Sequence, residues 1–457
     1  MDKQSNIAII GFGDEGKSVL NYLTDHGYLN VTVCDQNVEI KETMPEGVSV
    51  RLGEHYMEDL LDFNVIFRSP GIKYLDPQIQ SAVKNGVEIT SSTAFFLDQS
   101  PGHVIGVTGT KGKGTCSTLI YEMLKKSYKK VYIGGNIGIP AISFLDDLKG
   151  NDLVVLELSS FQLQDVQKSP HYAVLLNTTV DHLDYHADQD EYMSAKESLL
   201  ANQHGGCVAV LNQDYPYVKY YEGLVKGKKL FVSVKDKVED GAFIEDGEIF
   251  YAKYEDVEKI CDVSDVALIG SHNLENVLPA IVIAKELLVP TEDIVSVIKS
   301  FKGLPHRLQE TRTFNKVTYY NDSFSTTPLT SMAAVDSFEE PTVLIAGGYD
   351  KGADYGEWAV RILTKPSLHC VVLVGNTSAK MADEIEEAKS KLGEAEATPT
   401  KVLLAYDLKE AVTKAQKEAE GFGADAVVVM SPASSSFDLY HDYKERGKKF
   451  MEIVKGL

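Results

Sequence analysis

The sequence is short of positive charge: 45 lysines and arginines face 67 acidic residues, for a formal net charge of −22. Such a surface repels phosphate backbones and anionic membranes, which argues against nucleic acid or lipid as the primary partner. Any phosphate ligand must then be held by a local site. Cysteine is scarce as well. Cys34, Cys116, Cys207, Cys261 and Cys370 are odd in number, scattered and without CxxC spacing, so neither a disulfide framework nor a zinc site is indicated. Long apolar runs are missing: none approaches the ~18 residues of a membrane span. The opening MDKQSNIAIIGFG enters a strand-like segment with no basic and then apolar leader, so the expectation is a cytoplasmic chain; a monomer is expected as well.

What is present is a large globular chain. Its 457 residues, 44% hydrophobic and 25% charged, exceed what one core usually holds and suggest three domains. Short β-branched runs recur: NIAIIGFG, NVTVCD, VIFRSPG, HVIGVTGT, DLVVLELSS, YAVLLNTT, TVLIAGG, CVVLVGN and AVVVMSPA. Most precede a segment of helical periodicity or a polar loop, and they are continuously apolar rather than alternating. That pattern predicts α/β domains with parallel sheets covered by helices on both faces. The breaks DQSPG and LPHRL place boundaries that give domains 1–98, 99–306 and 307–457. Within the middle domain, Lys226 to Glu258 reads as a hairpin-bearing lobe.

The most informative segment is HVIGVTGTKGKGT, a strand running into Gly109, Thr110, Lys111, Gly112, Lys113, Gly114 and Thr115, followed by the helix-like CSTLIYEMLKK. Glycines let backbone N–H groups close on phosphate oxygens, the helix points its positive end at them, Lys113 reaches the outer phosphates, and Thr115 offers a hydroxyl to Mg²⁺. The reading is an ATP cradle. A second glycine loop, Gly11, Gly13 and Gly16 in G-x-G-x-x-G, follows the first strand, with Asp35 about 20 residues on, as a dinucleotide-binding unit requires. Glu157 ends the apolar run DLVVLE, at the carboxyl edge of a predicted parallel sheet, where a carboxylate suits a hard cation.

The spacing GTKGKGT departs from the common phosphate loop and resembles that of the Mur ligases and the folylpolyglutamate synthases, which activate a carboxylate as an acyl phosphate. Mur ligases usually carry Ser or Thr where this chain has Gly114, and the loop alone does not choose between the two. GGNIGIP, ELSSFQL, NTTVDHLDYH and YMSAKESL then follow in order and closely resemble the central domain of the D-glutamate-adding Mur ligases. That resemblance covers nearly the whole chain. It implies a Rossmann-like N-terminal domain that binds a UDP substrate, a central ATPase domain and a Rossmann-like C-terminal domain that binds the amino acid. The substrates implied are ATP, UDP-N-acetylmuramoyl-L-alanine and D-glutamate, with Mg²⁺ as cofactor.

By the same resemblance Gly11, Gly13, Gly16 and Asp35, with Ser69, Pro70 and Gly71 of the SPG turn, receive the UDP part, while Asn136 and Ser160 contact the muramyl-alanine part. Thr115, Glu157, His182 and Lys196 hold Mg²⁺, with Lys196 carbamylated. Asn273, Asn276, Arg307 and Asp322 surround ATP. Lys113, His182, Lys196 and Arg307 carry the catalysis, and Thr326, Lys351, Ser436 and Tyr443 cradle the carboxylates of glutamate. Besides Gly114, two positions depart from the pattern: Phe324 stands where lysine is common, and Tyr443 where phenylalanine is usual. Both lie at the end of the site that selects the amino acid. Asp14 and Glu15 are unexpected beside a diphosphate unless they face solvent. A folylpolyglutamate synthase, a Mur ligase for another amino acid, an NAD-dependent oxidoreductase and a non-catalytic nucleotide sensor are the alternatives.

Overall fold

The computed structural model describes residues 1–179, 185–392 and 397–457. It contains three sheets, each flanked by helices. The first carries β1 (Ile7–Ile10), β2 (Val31–Asp35), β3 (Ser49–Leu52), β4 (Val65–Arg68) and β5 (Glu88–Thr90), all parallel, in the order β3-β2-β1-β4-β5. Its central strand explains why the run is continuously apolar. Ile7 and Ile9 pack with Val19, Leu20 and Leu23 of the helix Asp14–Asp25, and the intervening Ala8 and Ile10 pack on the other face with Ile79 and Ala82 of the helix Pro77–Lys84.

The second sheet contains β6 (His103–Thr108), β7 (Val131–Gly135), β8 (Leu153–Glu157), β9 (Tyr172–Leu175), β10 (Val208–Asn212), β11 (Lys228–Ser233), β12 (Asp240–Glu245), β13 (Glu248–Lys253) and β14 (Asp256–Asp262). Their order is β14-β13-β12-β11-β10-β9-β6-β8-β7. Neighbours from β7 to β12 are parallel, and only the pairs β12–β13 and β13–β14 are antiparallel. The hairpin expected near Lys226 to Glu258 is therefore the end of this same sheet, because β11 joins it to the parallel strands. β6 has later strands on both sides, so the loop after it opens at the point where the winding reverses, the usual ligand crevice of such sheets.

The third sheet holds β15 (Gln309–Phe314), β16 (Val317–Asn321), β17 (Thr342–Ala346), β18 (Leu368–Val374), β19 (Lys401–Ala405) and β20 (Ala426–Met430), in the order β15-β16-β20-β17-β18-β19. Only β15 runs antiparallel to its neighbour. Leu344 and Ala346 face Trp358 and Ile362, while Val343 and Ile345 face Val412 and Phe450. The chain divides into two compact units, 1–266 with 274–300 and 267–273 with 301–457. Among the described residues no helix is long and apolar enough to cross a membrane.

Candidate active site

The phosphate loop leaves β6 at Thr108 and enters the helix Lys113–Ser127 through Gly112, which has a φ of 85°. Two constraints demand glycine there: the left-handed backbone, and Asn276, whose Oδ1 lies 1.9 Å from where a Cβ would stand. The loop is stitched to the segment after β9. Thr110 N–H donates to the Asn177 carbonyl at 2.7 Å, and Lys111 N–H to Asn177 Oδ1 at 2.9 Å. The Lys113 ammonium donates to the carbonyls of Gly109 and Thr110 at 3.0 and 3.1 Å. The Thr110 hydroxyl donates to the Thr179 carbonyl and pairs with the Tyr192 hydroxyl, each at 3.0 Å. It thereby braces the loop.

Tyr192 performs a second task. Lys196, at the end of the helix Gln189–Ala195, is only 1% exposed, and its Nζ lies 3.8 Å from the centroid of the Tyr192 ring. An ordinary helix lysine trails its stem over the surface and keeps its charge in water. This one is buried, with its ammonium on the ring face, an arrangement that favours a cation electrostatically. One aromatic side chain thus connects Lys196 to the phosphate loop.

Glu157 closes β8 with its carboxylate buried, and Oε1 accepts the Asn136 side-chain amide at 2.7 Å. The Asn136 backbone N–H also donates to the Glu157 carbonyl at 2.8 Å, so Asn136 holds Glu157 in place. Ser160 starts the short helix Ser160–Leu163, and its hydroxyl is 2.8 Å from His186 Nε2, whose Nδ1 lies 2.5 Å from Glu191 Oε2. His182 lies outside the described residues. Thr115 is buried in the first turn of the phosphate helix.

In the first sheet, Gly16 approaches the Gly11 carbonyl so closely that a Cβ would lie 2.3 Å from its oxygen. Asp35 fastens the same loop, accepting from the amides of Phe12 at 2.6 Å and Asn37 at 2.7 Å. Ser69 donates to the Gly11 carbonyl at 2.6 Å, and the Pro70 and Gly71 that follow leave the SPG turn beside this loop partly exposed. Gly13 and Asp14 face solvent. Glu15 does not: Oε1 accepts the Gln162 amide at 2.6 Å, Oε2 is buried without a partner among the described residues, and burial pushes the carboxyl up to about 6. Below it Arg68, at the end of β4, is fully buried against Asp165, with Nε 3.0 Å from Oδ1 and Nη2 2.5 Å from Oδ2. The guanidinium also donates to the Tyr185 hydroxyl at 3.0 Å and the Phe161 carbonyl at 2.8 Å. The Asp165 charge keeps the guanidinium protonated and raises its pKa in spite of burial.

In the other unit, Asp322 is buried after β16. Its Oδ2 accepts the Ser431 hydroxyl at 2.7 Å, Oδ1 accepts Leu308 N–H at 3.1 Å, and burial raises its pKa to about 6. Arg307 lies with Cζ 3.8 Å from the centroid of the Phe324 ring, and Tyr443 meets that ring edge-on at 5.1 Å. Thr326 is half-buried and donates its N–H to the Phe324 carbonyl at 2.9 Å. Lys351 is exposed, with Nζ 5.0 Å from the Phe437 ring centroid, and Ser436 is buried one residue earlier. The Asn273 side chain donates to the Ile269 carbonyl at 2.7 Å.

Of the expected ATP residues, Gly109 to Thr115 and Asn276 belong to the first unit, and Asn273, Arg307 and Asp322 to the second. Several participants were missed from sequence. Asn177 and Tyr192 lie inside segments that were recognised, so position in the motif was the available signal. Nothing local marks Gln162, Arg68 or Asp165 as partners, since they act across long stretches of chain.

Residues 107–284 match the Mur ligase middle domain, and residues 5–91 match the Mur ligase MurD-like N-terminal domain. The UDP-N-acetylmuramoylalanine–D-glutamate ligase of Acetivibrio thermocellus is 36% identical over 461 residues, spanning 100% of this chain and 97% of that protein. Among solved structures, the MurF ligase of Thermotoga maritima in complex with ADP aligns with a TM-score of 0.58 at 16% identity, covering 99% of this chain and 95% of that one. A Mycobacterium tuberculosis folylpolyglutamate synthase complexed with ADP and AMPPCP aligns at 0.56 and 14% identity, covering 79% of this chain and 94% of that one. The two structures share the fold, and the sequence identity over the full length makes the distinction between them. Matched end to end with such relatives, the chain belongs to the Mur ligase family, among its UDP-N-acetylmuramoylalanine–D-glutamate ligases.

Proposed function

We propose that this protein joins D-glutamate to UDP-N-acetylmuramoyl-L-alanine at the expense of ATP, as a cytoplasmic step of peptidoglycan precursor synthesis. The observation that carries the reading is the bond between Tyr192 and Thr110, which couples the buried Lys196 to the phosphate loop. A nucleotide sensor would need the loop, but it would have no use for a buried lysine tied to it. The full-length kinship to D-glutamate ligases supports the choice of substrates.

Direct condensation of carboxylate and amine is slow, so the carboxylate must first be activated. The terminal carboxylate of the UDP-linked substrate attacks the γ-phosphorus of ATP, the bond to the ADP oxygen breaks, and an acyl phosphate forms. The amine of D-glutamate then adds to the acyl carbon and loses a proton, and phosphate departs as the amide forms. This chain's contribution is positioning and charge. Lys113 exchanges its two loop carbonyls for outer phosphate oxygens, the amides of the loop and of the first helical turn receive the others, and Arg307 meets charge on the transferring group.

The donor set suits a hard cation: the hydroxyl of Thr115 and the buried carboxylate of Glu157 braced by Asn136 are in place, while the family pattern adds His182 and a carbamylated Lys196, which would have to give up the ammonium form it holds on the Tyr192 ring. When bound, Mg²⁺ neutralises charge on the phosphates and on the transferring oxygens. Asp35 and the Gly11 to Gly16 loop orient the UDP part, while Thr326, Lys351, Ser436 and Tyr443 receive the amino acid.

The test is phosphate release with ATP, Mg²⁺ and UDP-N-acetylmuramoyl-L-alanine, comparing D-glutamate, L-glutamate, L-lysine and no amino acid. Release with D-glutamate alone, abolished by Lys113→Ala, is the expected result. Release with another amino acid retains the ligase and changes its substrate, and no release with any of them overturns the proposal.

A further inference from the structure

Arg307 is held in an unusual way. Its two neighbours, His306 and Leu308, both adopt left-handed backbone, with φ of 64° and 42°. Each is tied to the segment that carries Phe324: the His306 carbonyl accepts Phe324 N–H at 3.0 Å, and Leu308 N–H donates to Asp322 Oδ1 at 3.1 Å. The same segment reaches the start of the last helix, since Ser323 donates its hydroxyl to the Tyr443 carbonyl at 2.8 Å. Three backbones are therefore pinned to one another, and their side chains stack. The guanidinium lies over the Phe324 face at 3.8 Å, and the Tyr443 ring stands at 89° to Phe324. The His306 ring in turn lies edge-on to Tyr443, at 6.1 Å.

We propose that Phe324 is a positioning residue that fixes the guanidinium of Arg307 and the ring of Tyr443 in one stack, so that this chain requires an aromatic ring at 324 rather than a cation. The proposal rests on the reading above, in which Arg307 meets the transferring phosphoryl group and Tyr443 the amino acid. The physical case is direct. An arginine side chain has several rotatable bonds, and stacking on an aromatic face restricts the guanidinium to one plane through a contact that is not itself a hydrogen bond. Phe324 is 37% exposed, so the stack lies at the surface of its unit rather than in its core. A lysine in its place would set an ammonium against the guanidinium and displace it.

The experiment compares F324W, F324L, F324K and R307A in the full-length protein, measuring kcat, KM for ATP, for D-glutamate and for the UDP substrate, and the melting temperature of each. F324W keeps the ring face and is expected within about twofold of the parent. F324L loses the cation–π contact, and kcat falls about two- to fivefold. F324K adds like-charge repulsion and is expected at least about tenfold down in kcat. KM for the UDP substrate should stay unchanged throughout. If R307A is impaired while F324L and F324K match the parent, Phe324 positions nothing and the proposal is overturned. A loss that F324W does not repair, or that follows a fallen melting temperature, assigns the ring to folding instead. Parental activity in R307A itself refutes the role given to Arg307, a separate and recognisable outcome.

Discussion

Replacing Glu15 by glutamine is expected to change how the stability of the protein responds to pH. Burial of the carboxyl lifts its pKa from an ordinary 4.5 to about 6, outweighing the Gln162 hydrogen bond and the attraction of Arg68, both of which lower it, while Asp165 adds to the rise. Because the folded state holds this proton more tightly than the unfolded chain, the associated stability is fully present below pH 4.5 and is lost as pH rises through 6. The difference corresponds to about 2 kcal/mol between the two ends of that window. Glutamine keeps an oxygen for Gln162 and cannot ionise, so E15Q should gain about 2 kcal/mol relative to the parent between pH 4.5 and pH 7, whatever its offset at low pH. In a thermal scan of the transition that reports this unit, the gap between variant and parent should widen by about 3–6 °C over the same range. A gap that stays constant with pH, or narrows as pH rises, refutes the assignment of a raised pKa to Glu15.

Three further outcomes are expected. Arg68→Met strands the Asp165 carboxylate in a buried site and should destabilise its unit by about 3–5 kcal/mol in denaturant unfolding, whereas pairing it with Asp165→Leu should recover most of that loss. Tyr192→Phe removes the hydroxyl bond to Thr110 but keeps the ring under Lys196, so about 1 kcal/mol of support for the phosphate loop is lost, to be read as a several-fold rise in KM for ATP. Gly112→Ala places a methyl group against Asn276 on a left-handed backbone, and calorimetric titration should show loss of ATP binding with the far-ultraviolet circular dichroism retained.

The sheets were legible because parallel strands buried on both faces produce continuous apolar runs, as Ile7 to Ile10 and Leu153 to Glu157 do. The phosphate loop was legible because its chemistry depends on local spacing. Short or half-exposed strands such as Ser49–Leu52 and Gln309–Phe314 carry no such run and pass for loop. Side-chain roles were less readable. Thr110 reads as a ligand contact, yet its hydroxyl is committed to Thr179 and Tyr192. Lys196 was singled out only through its motif; its burial was not legible, because burial depends on what packs over it and not on its neighbours in the chain. Glu15 reads as a surface acid in a glycine loop; the residue that turns it inward, Gln162, is 147 positions away.

The Arg68 guanidinium bears on how freely such a chain can be recombined. Besides the Ser69 and Ile72 carbonyls of its own sheet's SPG turn, it binds Asp165, Tyr185 and the Phe161 carbonyl, which belong to the sequence that follows residue 98. The glycine-loop sheet is therefore not a cassette that could be exchanged for another nucleotide-sugar module at that junction. A transplanted sheet would have to bring an arginine at the end of its own fourth strand, or the recipient would fold around an unneutralised carboxylate.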